Sequence, residues 1–318
     1  MEKRFYTLLY IDKNEIRSLS KTGIGRATNL SFKDRLKMFL GCAALLNKTL
    51  QINKVGNLEI LTNDIQLLDK LQSDFGYTIK ATEIEFSLDV PQGIKFYSAH
   101  FKIDVFKYLG TLSNQQISFL LDNDVICTNQ IPQVIENIEQ ANYLKGKHFP
   151  ALIYEMPLYG GERMVSDKKK IDKEQIHGLW AGGEFIAGTS DFYLNLYNEI
   201  MTIKDKYWSV CQELFHQGDE MLTSVALENI FYKCKYPLLN AGDLGLIKRY
   251  WSILDSNPYY QNKTWFAHLP YDKGMLSLID VNKINSNEDL VKIYKSYWRK
   301  LRLKRFIRNI YFKICKKK

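Results

Sequence analysis

The run Ile117-Ser118-Phe119-Leu120-Leu121-Asp122-Asn123-Asp124 sets two carboxylates, one residue apart, at the end of five residues of buried-strand type. Side chains so placed can converge on one divalent cation. Carboxylate oxygens suit Mg²⁺ or Mn²⁺, and such an ion is usually held by one or two carboxylates together with substrate phosphates. The chemistry this would supply is Lewis-acid neutralisation of a diphosphate leaving group. Asn123, between the two aspartates, belongs to the same candidate cofactor contact. The competing reading is an acidic turn capping a following helix.

The elements that must position this pair alternate along the first half. Phe5–Ile11 reads as a buried strand ending at Asp12. Ser31 caps a helix whose apolar residues recur from Leu36 to Leu46. Leu58–Thr62 is a second strand closed by Asn63-Asp64, a helix from Leu67 stops near Gly76, and a third strand lies within Thr78–Phe86. Helical spacing returns between Phe96 and Leu109, and Gly110 ends it. This alternation predicts an α/β fold with a mostly parallel central sheet flanked by helices. Ligands bind such sheets beyond the carboxyl ends of the strands, where Asp12, Asp64 and the Asp122–Asp124 pair all fall. The second half is less regular. Strands are expected at Ala151–Met156 and Glu184–Ala187, helices at Phe192–Asp205 and Glu220–Phe231, and loops at Lys145–Pro150 and along the polar run Ser166–Glu174.

With these residues in view, the chain resembles nucleotide-sugar-dependent glycosyltransferases of the Rossmann-like GT-A fold, and within them the glycogenin and lipopolysaccharide galactosyltransferase type (family 8-like). The apolar strand ending in Asp-x-Asp carries the likeness, together with Tyr97–Asp104, where Lys102 stands in the place of a usual arginine. Lysine meets phosphate as a point charge, without the bidentate fork of arginine. Trp180-Ala181-Gly182-Gly183-Glu184 is similar to the small-residue segment that lets backbone approach the donor sugar. Gln217-Gly218-Asp219-Glu220 resembles the acidic helix start that holds sugar hydroxyls. Trp265–Gly274 resembles a late motif in which a histidine, here His268, completes the metal site and a lysine, here Lys273, meets the diphosphate. The resemblance thus implies Asp122, Asp124 and His268 as metal ligands and Asp219, Glu220 and Glu184 as catalytic carboxylates. It also implies Lys102, Asn123, Gly182, Gly183 and Lys273 as contacts to a nucleoside-diphosphate sugar, with a UDP-sugar favoured, and retention of configuration. The first two strand ends add Tyr10, Asp12, Asn63 and Asp64 as candidates for the base and ribose, at a location the resemblance supports without singling out these side chains. It spans residues 4–275 in layout.

Charge completes the expectation. The 44 basic and 35 acidic residues give +9. Twelve of the basic residues and no acidic one lie between Lys292 and Lys318, which leaves the rest of the chain at −3. A body without basic clustering argues against nucleic acid. In the tail, Tyr294, Tyr297, Trp298 and Leu301 share a helical face, and Leu303, Phe306, Ile307, Ile310 and Ile314 continue with a shifted phase among interleaved arginines and lysines. That pattern predicts a helix, bent near Leu301–Leu303, lying on an anionic membrane surface. Five scattered cysteines without a Cys-x-x-Cys pair favour a reducing compartment. No signal-like apolar segment opens the chain. The organisation expected is a catalytic domain over 1–285, with a nucleotide-sugar half to about 135 and an acceptor half from 136, followed by a membrane-association tail over 286–318. The protein reads as a cytoplasmic, membrane-peripheral enzyme of bacterial surface-polysaccharide synthesis acting on a glycan or lipid-linked saccharide. A nucleotidyltransferase is the alternative of another class, though Gly23-Ile24-Gly25-Arg26 is a poor version of its loop; a non-catalytic membrane-bound scaffold is a third.

Overall fold

A computed structural model describes residues 1–12, 30–144, 148–156, 161–175, 177–233, 235–251 and 264–315, with backbone alone at 305 and 308–315. The Gly23–Arg26 segment lies outside these residues. The first half follows the alternation: β1 (Glu2–Leu9), α1 (Phe32–Ile52), β2 (Leu58–Thr62), α2 (Ile65–Phe75), β3 (Lys80–Glu83), a 3₁₀ turn at Tyr97–Phe101, α3 (Lys102–Leu109) and β4 (Gln116–Leu121). Local chemistry sets the boundaries. Ser31 Oγ accepts the Asp34 N–H at 3.1 Å at the start of α1. Gly76 closes α2 at φ 70°, a left-handed conformation that glycine adopts without strain.

After β5 (Val125–Cys127), α4 (Gln133–Leu144) and β6 (Ala151–Glu155) come α5 (Gly161–Ile171), β7 (Ala181–Gly188), α6 (Ser190–Val210) and α7 (Asp219–Tyr232). The chain ends through β8 (Leu238–Asn240), β9 (Ile247–Arg249), β10 (Phe266–His268), α8 (Lys273–Leu276) and α9 (Asn287–Cys315). Seven strands form one sheet in the order β3-β2-β1-β4-β7-β6-β8. All neighbours pair in parallel except at β7, which runs antiparallel to both β4 and β6. This is the expected α/β architecture, a mostly parallel central sheet flanked by helices.

Alternate residues of the central strands feed opposite faces. Leu120 and Ile186 pack with α3, α6 and α7, whereas Phe119, Leu121 and Phe185 pack with α1 and α2. A second sheet of three short strands, β5-β10-β9, lies beyond the end of β4, with β10 antiparallel to β5 and parallel to β9.

Two local expectations are corrected. The polar run 166–174 is not a loop, because most of it is helix α5. Its Asp167 and Lys168 are buried, and Lys168 is ion-paired with buried Glu228. Polarity therefore marks an internal pair here instead of solvent. In addition, α9 is continuous from Asn287 to Cys315, without a break at Leu301–Leu303. Its first turns bury Leu290, Tyr294 and Trp298 in a third core cluster with Leu269 and Leu276, and Tyr294 donates to Asp272 Oδ2 at 2.5 Å. Farther along, Leu303, Phe306 and Ile307 are exposed. The phase shift marks a change of surroundings, from packed against the body to unpartnered by it.

Candidate functional site

The reversal of β7 explains how distant segments meet. In an all-parallel sheet the beginning of a strand lies far from the carboxyl end of its neighbour. Since β7 is antiparallel, its beginning, Gly182-Gly183-Glu184, lies beside the end of β4. Leu121 pairs with Phe185, and the Asp122 N–H donates to the Glu184 carbonyl at 3.2 Å. Strand β5 starts directly after Asp124, and the short sheet sets His268 opposite Val125 and Arg249 opposite His268. Helices α3, α7 and α8 open with Lys102, Asp219-Glu220 and Lys273, so four basic or acidic helix-start residues face the same place.

Asp122, Asp124 and His268 offer ligand atoms that all lie within 4.8 Å of one another. Asp124 and His268 are buried, and the Asp122 side chain is 30% exposed, so the cluster has one open side. Asp124 Oδ2 is 3.3 Å from His268 Nε2 and 3.2 Å from Lys273 Nζ. Asp124 Oδ1 is buried without a hydrogen-bond partner. Burial alone would raise the Asp124 carboxyl, but the Lys273 ammonium and His268 hold it well below the usual carboxylate range. Burial likewise opposes a charged imidazole, yet Asp124 and Glu184 on its two sides raise His268 to about 9. A fully buried carboxylate oxygen with no donor, next to a second carboxylate and an imidazole, fits a divalent cation.

Behind this cluster lies a second one. Glu184 is fully buried and accepts from Arg249 at 2.6 Å (Nε) and 2.5 Å (Nη2), while His268 Nδ1 lies 3.0 Å away. Burial pushes Glu184 up, and His268 and Arg249 outweigh it, bringing the carboxyl down to about 2. The two ring nitrogens of His268 therefore face different carboxylates, Nε2 toward Asp124 and Nδ1 toward Glu184. That is the arrangement by which an outer carboxylate fixes the tautomer and orientation of a ligating histidine.

Lys102 joins the remaining groups. Its Nζ is 2.8 Å from Asp122 Oδ1 and 3.3 Å from Asp219 Oδ2, and it donates to the Gly183 carbonyl at 2.9 Å. Burial raises Asp219 to about 6, with Lys102 opposing and Glu220 and Asp122 adding to the rise. Glu220 accepts from the Gly183 N–H at 3.1 Å and from Trp180 Nε1 at 3.3 Å. A Cβ on Gly183 would come within 2.7 Å of Lys102 Nζ and 3.3 Å of Asp219 Oδ2, and one on Gly182 would collide with the Glu184 carboxylate. The two glycines thus leave space that charged side chains of this chain fill.

Of the residues singled out from sequence, Asp122, Asp124, His268, Lys273, Lys102, Asp219, Glu220, Glu184, Gly182 and Gly183 come together here, with half-buried Asn123 in the connecting turn. Others lie at neighbouring strand ends. Tyr10 stacks on Phe101 with centroids 3.9 Å apart, and buried Asp12 follows β1. Asp64 caps α2, accepting from the Leu67 N–H at 3.0 Å. Asn63 ties the first two strand ends together through both backbone groups of Ile11, at 2.7 and 2.9 Å. Arg249 was not foreseen: it sits in a three-residue strand with no periodicity, and only the need of Glu184 for a counter-charge points to it.

No protein-family model matches the chain, and no curated protein matches it in sequence. Among solved structures, mouse xyloside xylosyltransferase 1 in its apo form is similar over 85% of this chain and 98% of that chain, at 11% identity and a TM-score of 0.46.

Proposed function

We propose that the chain is a metal-dependent glycosyltransferase that moves a sugar from a nucleoside-diphosphate donor, with a UDP-sugar favoured, to a hydroxyl of a glycan or lipid-linked saccharide. The observation that carries this reading is the Asp122–Asp124–His268 cluster at the carboxyl end of β4, with Lys102 and Lys273 beside it. Asp122, Asp124 and His268 would hold Mn²⁺ or Mg²⁺, which when bound supplies Lewis-acid stabilisation of the diphosphate leaving group. Lys102 and Lys273 are the cations placed to meet phosphate oxygens as point charges. Glu184, held by Arg249, keeps the Nδ1 proton of His268 and so presents Nε2 to the cluster. Glu220 is committed to the Gly183 N–H and to Trp180, which leaves Asp219 as the acidic group offered to a sugar hydroxyl. In the transfer, a bond forms between the acceptor oxygen and the anomeric carbon as the bond from that carbon to the phosphate oxygen breaks; the acceptor hydroxyl gives up its proton to the departing diphosphate oxygen, and nucleoside diphosphate leaves.

Retention of configuration and a bacterial surface glycan as product stay with the reading, as the sequence resemblance implies. An anionic membrane surface at the cytoplasmic face is its proposed location. No helix among the described residues is long and apolar enough to cross a membrane. What supports peripheral attachment is α9, where exposed Leu303, Phe306 and Ile307 accompany exposed Arg299, Lys300, Arg302 and Lys304.

The test is product release from a set of UDP-sugars with and without Mn²⁺. Nucleoside diphosphate should appear only with metal, and Asp122→Asn, at a partly exposed position, should lower the rate at least 100-fold. Unchanged turnover in Asp122→Asn and Asp124→Asn would sink the proposal. Pyrophosphate in place of nucleoside diphosphate would identify a nucleotidyltransferase.

A further inference from the structure

A cavity of about 440 Å³ lies away from the metal cluster, at the far end of α7, and is lined among others by Glu155, His177, Leu179, Phe231, Tyr232 and Asn240. Its wall is built firmly. Buried Lys168 donates to the carbonyls of Leu179 (2.8 Å) and His177 (3.4 Å) and pairs with Glu228, whose other oxygen accepts the His177 N–H at 2.9 Å. The segment is stitched to α7 at successive turns. Glu220, Ser224 and Glu228 accept the backbone N–H groups of Gly183, Ala181 and His177. One run of chain, 177–183, therefore borders the cavity at one end and touches Lys102 at the other.

The lining has a defined chemistry. Asn240 Oδ1 accepts from the N–H groups of Glu155 (3.2 Å) and Gly242 (2.9 Å), which fixes the amide and turns its NH₂ into a donor without a partner among the described residues. The half-buried Glu155 carboxylate accepts no hydrogen bond among the described residues and feels Asp243 and Lys168 only at longer range, and the ring nitrogens of His177 likewise make no hydrogen bond among them. His177 stacks on Tyr232 at 3.6 Å between centroids, giving an aromatic rim above an apolar floor that includes Leu179 and Phe231. Convergent donor and acceptor groups beside aromatic faces match a polyhydroxylated ring, with hydroxyls on its edge and C–H groups on its face.

Two rulers give its separation from the chemistry. Along α7, from Glu220 to Phe231, the rise of the helix gives about 16 Å. Along the extended run from Gly183 back to Leu179, strand geometry gives about 13 Å. That is the span of a short oligosaccharide and not of one sugar ring.

We infer that this cavity is a saccharide-binding subsite for the distal units of an oligosaccharide acceptor, an assignment to acceptor that rests on the glycosyl-transfer reading above. The experiment is an NMR titration of the full chain with cello-, malto- and chito-oligosaccharides of two and four units, run beside Mn²⁺-dependent hydrolysis of UDP-sugars. One series should bind, its four-unit member at least tenfold tighter than its two-unit member. Tyr232→Ala, at an exposed position, and Glu155→Gln should each erase that gain while donor hydrolysis and the unfolding midpoint stay unchanged. Absence of binding by all three series, or an unchanged length dependence in Tyr232→Ala, overturns the inference. If binding depends on Tyr232 but the wild type turns over no donor, the saccharide site stands and the catalytic reading falls.

Discussion

Replacing Arg249 by leucine tests the electrostatic logic behind His268. Arg249 is 9% exposed at its side chain and makes the bidentate contact to a carboxylate with no exposure at all. Removing one partner of such a pair leaves an uncompensated buried charge and typically costs about 3–5 kcal/mol. His268 still faces Glu184 at 3.0 Å and offsets part of the loss, so the lower end, about 3 kcal/mol, is expected. At ~2–4 °C per kcal/mol this lowers the unfolding midpoint by roughly 6–12 °C. Adding Glu184→Gln to the same chain deletes the stranded charge and should restore about 2 kcal/mol, a coupling within the range seen for contacting groups. The dependence on pH has a definite sign. In the wild type the Glu184 carboxyl is depressed to about 2, so its stabilisation is fully present above the unfolded carboxylate value and is lost progressively as pH falls from that value through 2. Without Arg249 one of the two influences that lower Glu184 is gone while His268 remains, so the folded carboxyl rises from its wild-type position and the deficit shrinks as pH is lowered. Denaturant titration of the four chains of the cycle at pH 7.5 and pH 5 reads all of this. A loss below 1 kcal/mol, or additivity within 0.5 kcal/mol, would refute the paired-charge account.

Gly183→Ala should fold, because the nearest atom to the new methyl is the flexible end of Lys102. Displacing that ammonium from Asp122 and Asp219 should lower donor turnover at least tenfold with a midpoint shift under about 3 °C; wild-type rates would show that the Lys102 position is immaterial. Changing Arg299, Lys300 and Lys304 to alanine removes three exposed charges from α9, each worth about 1 kcal/mol at an anionic surface. Sedimentation with phosphatidylserine vesicles should then show partitioning weakened about 100-fold or more, with rates on soluble acceptors unaltered. Equal partitioning would remove the membrane from the proposal.

Much of this was legible in the sequence, for physical reasons. The first four sheet strands and the helices between them follow from runs such as Phe119–Leu121 and from Ser31 and Gly76 at helix ends, because each is dictated by neighbours in the chain. Asp122 and Asp124 stood out because a strand end imposes their convergence. The reversal of β7 was not legible: Ala181–Gly188 is buried throughout, and a fully buried run carries no sign of its direction. Strands β9 and β10 hold three residues each, too few for any period, so Arg249 could not be placed. Lys168 misled outright, since a lysine paired inside the fold looks the same in sequence as one in water.

The short sheet β5-β10-β9 has a consequence for the order of events during folding. Asp124 and His268 are nearly half the chain apart in sequence, yet the ladder that joins them contains only three paired positions. So few hydrogen bonds cannot offset the loop-closure entropy by themselves, and their formation must await consolidation of the large sheet and of the cluster around Leu269 and Tyr294. A nascent chain that has completed only β1 to β7 would hold Asp122 and Asp124 without Arg249, His268 and Lys273, which all lie in the last quarter of the polypeptide.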